Sequence, residues 1–252
     1  CSSDLAGWGA VFAAPFTGVM FALQVCKHQR RRVIVPAIIA GFVGKFTVDA
    51  LGWPDTAKPQ LPSTEWSIGL PAKLALLGIA LGLLARLFVK VLKTLRRHIA
   101  RVLHYPPLRA VVGGFVLLGF AALAGRQYMG TSSAILENAV NPHGTNVTLA
   151  VPLLKLLYTA ISLASGFVGG EVLPLFIAGA TLGACMAPGM GVDRQLFASM
   201  GSTMTFASAA SVMLTGIVLT VEQYGWHALA PVVIVAIFAR FGAGRPGLYA
   251  TH

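Results

Sequence analysis

Apolar residues run along this chain in long blocks separated by short polar breaks. A bilayer span needs roughly 20 apolar residues, and broken helices inside a membrane protein can be shorter. On that rule the pattern predicts spans at 8–26, 34–52, 69–98, 108–124, 148–165, 171–188, 196–222 and 227–243. The 69–98 block is long enough to tilt strongly across a bilayer. Residues 131–140 read as a short interfacial helix. The 196–222 block is rich in Gly, Ser, Thr and Ala, which permit close helix approach, so it predicts two short helices in contact. Prolines recur inside the blocks, at Pro15, Pro36, Pro71, Pro152, Pro174, Pro188 and Pro231. A proline in a span marks a kink. Several Gly/Pro-interrupted blocks together suggest a transporter built from discontinuous helices.

Composition supports a polytopic membrane protein. The chain is 56% hydrophobic and 11% charged, with a mean hydropathy of +0.76, whereas soluble domains carry about 25% charged residues. A net charge of +11 would suggest nucleic acid in a soluble protein. Here the basic residues cluster between apolar blocks, so topology accounts for them and no nucleic-acid partner is expected. Lys27, Arg30, Arg31 and Arg32 place the first loop in the cytoplasm. Loop 50–68, with Asp55, Glu65 and only Lys58, is expected outside. Lys90, Lys93, Arg96, Arg97, Arg101 and Arg109 return the chain to the inside. Cys1, Cys26 and Cys185 have neither metal-ligand spacing nor an even count, and Cys185 reads as a small packing residue. The chain opens on Cys1 rather than Met and stops at His252 just after a turn, so both ends read as cut.

The chemistry concentrates in Gly166-Phe167-Val168-Gly169-Gly170-Glu171-Val172-Leu173-Pro174-Leu175-Phe176. A Gly-rich turn leads directly into an apolar segment carrying one carboxylate. A helix N-terminus presents unpaired N–H groups and the positive end of a dipole, and inside a bilayer that is an anion site. Glu171 is then a candidate proton carrier, since burial favours its neutral form and the helix N-terminus its charged form. The structural alternative is a Glu that caps its own helix. Glu222 ends an apolar block beside Gln223 and Tyr224 and reads as a solvated interfacial carboxylate. Lys45 and Asp49 are spaced to pair on one helix face. Glu137 reads as solvated, and the histidines lie in loops or at block ends without metal spacing. An intramembrane serine protease would need Ser165 with a His such as His227, but Ser165-Gly166 is a weak motif.

Three stretches carry a family resemblance. Gly7-Trp8-Gly9-Ala10-Val11-Phe12-Ala13-Ala14-Pro15-Phe16-Thr17-Gly18-Val19-Met20-Phe21-Ala22-Leu23-Gln24 has a Gly/Ala-rich start, an Ala-Pro pair, then Gly and an apolar helix. Gly169-Gly170-Glu171-Val172-Leu173-Pro174 is similar to an anion-binding motif of paired glycines and a proline. Gly244-Arg245-Pro246-Gly247-Leu248-Tyr249 resembles a turn leading to an ion-coordinating tyrosine. In this order they resemble the CLC chloride channels and proton-coupled anion transporters. The Gly-Gly-Glu-Val form resembles the fluoride/proton antiporter branch, although Leu173 stands where that branch carries Thr. Gln24 and Val25 stand where chloride/proton exchangers carry paired glutamates.

The resemblance implies an all-α, polytopic transmembrane, inverted-repeat fold with discontinuous tilted helices. It implies a partial fold: one transmembrane domain over 1–252, with 1–60 ending the first repeat and 69–252 forming the second. It further implies an anion transporter rather than an enzyme, exporting fluoride against proton entry, without a cofactor or metal. The alternatives are a chloride channel or chloride/proton exchanger, and a non-transporting membrane fragment or assembly partner. The implied anion-binding residues are Gly170, Glu171, Val172, Leu173 and Tyr249, with Glu171 coupling protons. The implied setting is the inner membrane, as a homodimer joined through 8–26, 34–52, roughly 210–222 and 227–243.

Overall fold

The structure, a computed structural model, describes residues 2–26, 30–52, 61, 64, 66–145, 147–244 and 247–248. Lys27, Asp55, Lys58 and Glu65, used above for orientation, lie outside the described residues. The described chain is helical throughout: α1 (Ser2–Phe12), α2 (Pro15–Val25), α3 (Arg30–Ala50), α4 (Leu70–Val102), α5 (Pro106–Ala124), α6 (Ser133–Val140), α7 (Ala150–Ala164), α8 (Val172–Met190), α9 (Arg194–Ala210), α10 (Met213–Tyr224) and α11 (Leu229–Ala243). Single 3-10 turns at Arg126–Tyr128 and Trp226–Ala228 link α5 to α6 and α10 to α11. Among the described residues, five helical segments are long and apolar enough to cross a membrane. The α4 helix rises about 50 Å at 1.5 Å per residue, more than the hydrocarbon thickness.

The block read as one span at 8–26 is two helices. The chain turns at Ala13, whose φ of 46° lies in the left-handed region, and α2 begins at Pro15. The apolar pattern runs through this break because no polar residue marks it. The 196–222 block is two helices, as its composition predicted, broken at Ser211 with φ 60°. Most prolines read as kinks sit in first turns instead: Pro15, Pro71, Pro152, Pro174 and Pro231 open α2, α4, α7, α8 and α11. There the missing N–H costs nothing, because it would have no intrahelical partner. Only Pro36 and Pro188 lie inside helices.

Small residues set the closest crossings. A Cβ on Gly179 would come 2.0 Å from the Gly201 carbonyl oxygen, and one on Gly201 2.1 Å from that of Gly179. α8 and α9 therefore touch backbone to backbone. α4 meets α11 the same way, at Gly78, Gly82 and Gly242. Without a hydrophobic drive between helices in lipid, such close packing holds a bundle together. The buried centre is α8 and α9, and Phe88, Leu74, Leu77 and Leu81 of α4 are buried in the same core. The outward faces of α3 and α5 are apolar and exposed, with Val35, Ile39 and Phe46 on one and Phe115, Leu118 and Leu123 on the other. Lys45 and Asp49 pair at 2.9 Å, as their spacing predicted, and Glu137 is exposed.

Candidate anion site at the start of α8

The antiparallel α8/α9 pair carries the start of α8 to the end of α9, where Phe176 and Phe206 lie 5.9 Å apart. The end of α1 arrives at the same place, with Phe12 5.4 Å from Phe176. Trp8 makes tilted ring contacts with both Phe12, at 4.9 Å, and Phe206, at 5.5 Å. The Leu248 N–H donates to the Ala209 carbonyl at 2.7 Å, so the segment after α11 also returns here. Helix breaks from distant parts of the chain thus converge on one aromatic cluster.

The loop into α8 is built for backbone exposure. Gly166 has φ 93°, a conformation that costs glycine little and other residues more. Gly166, Phe167, Val168, Gly169 and Gly170 are all exposed. The Leu175 N–H closes the first intrahelical bond to the Glu171 carbonyl at 3.2 Å, and Pro174 brings no N–H. The N–H groups of Glu171, Val172 and Leu173 precede that bond. Glu171 is the N-cap residue, yet its side chain makes no capping bond to the helix. The structural alternative, a glutamate capping its own helix, is therefore not what forms. Beside the loop lies a cavity of about 480 Å³, walled by Val11 and Phe12 of α1, Gly169, Gly170, Val172 and Leu173. Of the expected site residues, the structure thus brings Gly170, Val172 and Leu173 to one cavity, with Glu171 between them in the chain. Tyr249 lies outside the described residues.

Glu222 is not a solvated interfacial carboxylate. Its oxygens accept from the Phe16 N–H at 3.0 Å, from the Thr17 N–H at 2.7 Å and from the Thr17 hydroxyl. They fill the N-terminus of α2, where donors and dipole favour an anion. At the other end of the same antiparallel pair, Gln24 Oε1 accepts from the Thr215 N–H at 2.8 Å and the Thr215 hydroxyl at 2.6 Å. Each helix thus caps the other. The backbone repeats as well: Ala14 has φ −125° and ψ 68°, Val212 has φ −121° and ψ 61°. The signal was present in the sequence. Thr17-Gly18 stands to Gln24 as Thr215-Gly216 stands to Glu222.

A residue outside the expected set is Lys155, which is 1% exposed in the middle of α7. Its signal in the sequence is its cost, a lone lysine inside an apolar block. Ser165, the residue a serine protease would need, is buried with its hydroxyl against Gly113 of α5. Among the described residues no cluster of His, Cys, Asp and Glu could hold a metal ion.

Residues 6–244 match the model of a family described as voltage gated chloride channel. A chloride/fluoride channel protein of Pseudomonas syringae pv. tomato is 31% identical over 97% of this chain and 55% of its own length. The H(+)/Cl(-) exchange transporter ClcA of Vibrio cholerae serotype O1 is 24% identical over 95% of this chain and 55% of its own. The crystal structure of a CLC-type fluoride/proton antiporter superposes with a TM-score of 0.89 at 30% identity, covering 98% of this chain and 62% of that one. The chain spans about half the length of the curated relatives it matches.

Proposed function

This chain belongs to the voltage gated chloride channel family, and we propose that it supplies one part of a proton-coupled anion transporter whose anion is fluoride. The observation carrying this reading is the start of α8, where backbone N–H groups open onto a cavity and no side chain of that helix's own N-cap fills them. Gly170, Glu171, Val172 and Leu173 hold the anion by backbone donors, and the helix dipole adds to them. Fluoride sheds strongly bound water on entry, so several fixed donors are needed to offset that loss. Glu171 carries the proton. Its place in the N-cap position of α8, between cavity-lining Gly170 and Val172, supports that role. Gln24 supports it from the other side. Where chloride/proton exchangers carry a glutamate, this chain has an amide engaged as a cap, which leaves no titratable group there.

By the same reading, α1–α3 and α9–α11 are the matching ends of two inverted repeats, and the protein sits in an inner membrane as a homodimer. The recurrence of the Ala13 and Ser211 turns and of the two reciprocal caps supports the first point. The likeness to the fluoride/proton antiporter structure favours fluoride, and the likeness to the exchange transporter ClcA keeps chloride as the second reading. Liposomes holding the full-length protein and loaded with sodium fluoride or sodium chloride decide between them. Fluoride efflux with opposing proton uptake is the expected result. Chloride-selective flux keeps the site and overturns the choice of anion.

A further inference from the structure

Lys155 is among the largest fully buried side chains of the protein. Its Nζ donates to the Tyr128 carbonyl at 3.0 Å, the Gly130 carbonyl at 2.9 Å and the Ser132 hydroxyl at 2.8 Å. Every N–H of the ammonium is used, yet none of the partners carries negative charge. Burying a charge without a counter-charge is costly, and a neutral side chain could fill the same space without that cost. Lys155 also lines the cavity in front of α8, together with Gly130, Gly169 and Gly170. The cation and the α8 N-terminus therefore act on the same small volume with the same sign.

We propose that Lys155 is the fixed positive charge of the anion path, and that the anion held before α8 is its counter-charge. The inference rests on the anion-transport reading above. Hydrogen bonds to the carbonyls anchor the ammonium without neutralising it, so its field reaches into the cavity. The same bonds fasten the 128–132 segment, which closes one side of that cavity through Gly130 and Thr131. Low-dielectric walls strengthen the field, so a charge that would be screened at a surface acts here at full range.

The test uses the full-length protein in liposomes, with sodium fluoride and sodium chloride as probes. Lys155→Met is expected to raise the anion KM about tenfold, with a smaller change in kcat. Lys155→Arg is expected to bring KM back to within about threefold, because the charge returns. Wild-type flux with an unchanged KM in Lys155→Met overturns the proposal. Equal losses in the Met and Arg variants also overturn it, since they would reveal a requirement for shape alone. Should Lys155→Met fail to fold, Thr131→Glu places a negative charge on the exposed cavity wall without touching Lys155. It is expected to raise KM about tenfold, and an unchanged KM overturns the proposal. If the wild-type protein moves neither anion and neither anion raises its melting temperature, the transport reading itself fails, and this inference fails with it.

Discussion

Two helix N-termini in this molecule solve the same electrostatic problem in opposite ways. At α2, the exposed donors meet the carboxylate of Glu222, delivered from the far end of α10. At α8, the residue in the capping position is also a glutamate, yet its side chain leaves the helix uncapped. The first terminus is permanently satisfied from within. The second opens onto a cavity beside a buried lysine. A helix dipole is thus a structural element when the chain provides its anion and a binding site when it does not. The difference lies in which tertiary neighbour arrives, because both helices follow a short connection and carry a proline in the first turn.

Substitutions at these termini separate the two roles, and the largest stability effect is expected at α2. Glu222→Ala strands the Phe16 and Thr17 donors and should cost about 3 kcal/mol. In thermal unfolding of the detergent-solubilised protein that corresponds to a melting temperature lower by roughly 10 °C. Gln24→Ala removes the matching neutral cap from α10 and should cost about 1.5 kcal/mol on the same assay. Glu222→Gln retains an acceptor and loses the charge, so about 1 kcal/mol is expected, growing smaller as salt is raised. The smallest change in stability, below about 0.5 kcal/mol, is expected for Glu171→Gln, since that side chain caps no donor of its helix. Its effect should fall on flux instead, as anion movement without accompanying protons. A Glu171→Gln protein that melts as early as Glu222→Ala and keeps proton coupling would erase the distinction between the two termini.

Much of this architecture was legible in the chain. Long apolar blocks forced a helical membrane protein, since unpaired backbone groups are not tolerated in hydrocarbon. The Gly-rich approach to Glu171 marked the α8 terminus because only a short flexible turn places N–H groups forward. Hydropathy was blind to the break at Ala13, where a single left-handed residue turns the chain without any polar signal. Sequence does not say whether a proline opens a helix, as Pro15 and Pro174 do, or lies inside one, as Pro36 and Pro188 do. Glu222 looked solvated because its partners, Phe16 and Thr17, are distant in the chain, and local pattern carries no information about such pairs. Lys155 is legible as an anomaly, one cation in an apolar helix, but its anchoring carbonyls belong to the 3-10 turn and the loop before α6.

By itself the sequence determined that the protein is helical and membrane-embedded, and that a Gly-rich turn leads into the helix at Glu171. These follow from burial and from backbone hydrogen bonding, which act locally along the chain. Only the tertiary structure decided which helix ends are capped internally and which remain open. That choice depends on contacts between α2 and α10, and between α8, α7 and α1, across large separations in sequence. The dipole of every helix is the same in kind, and its use is set by the neighbour that folding brings to its end.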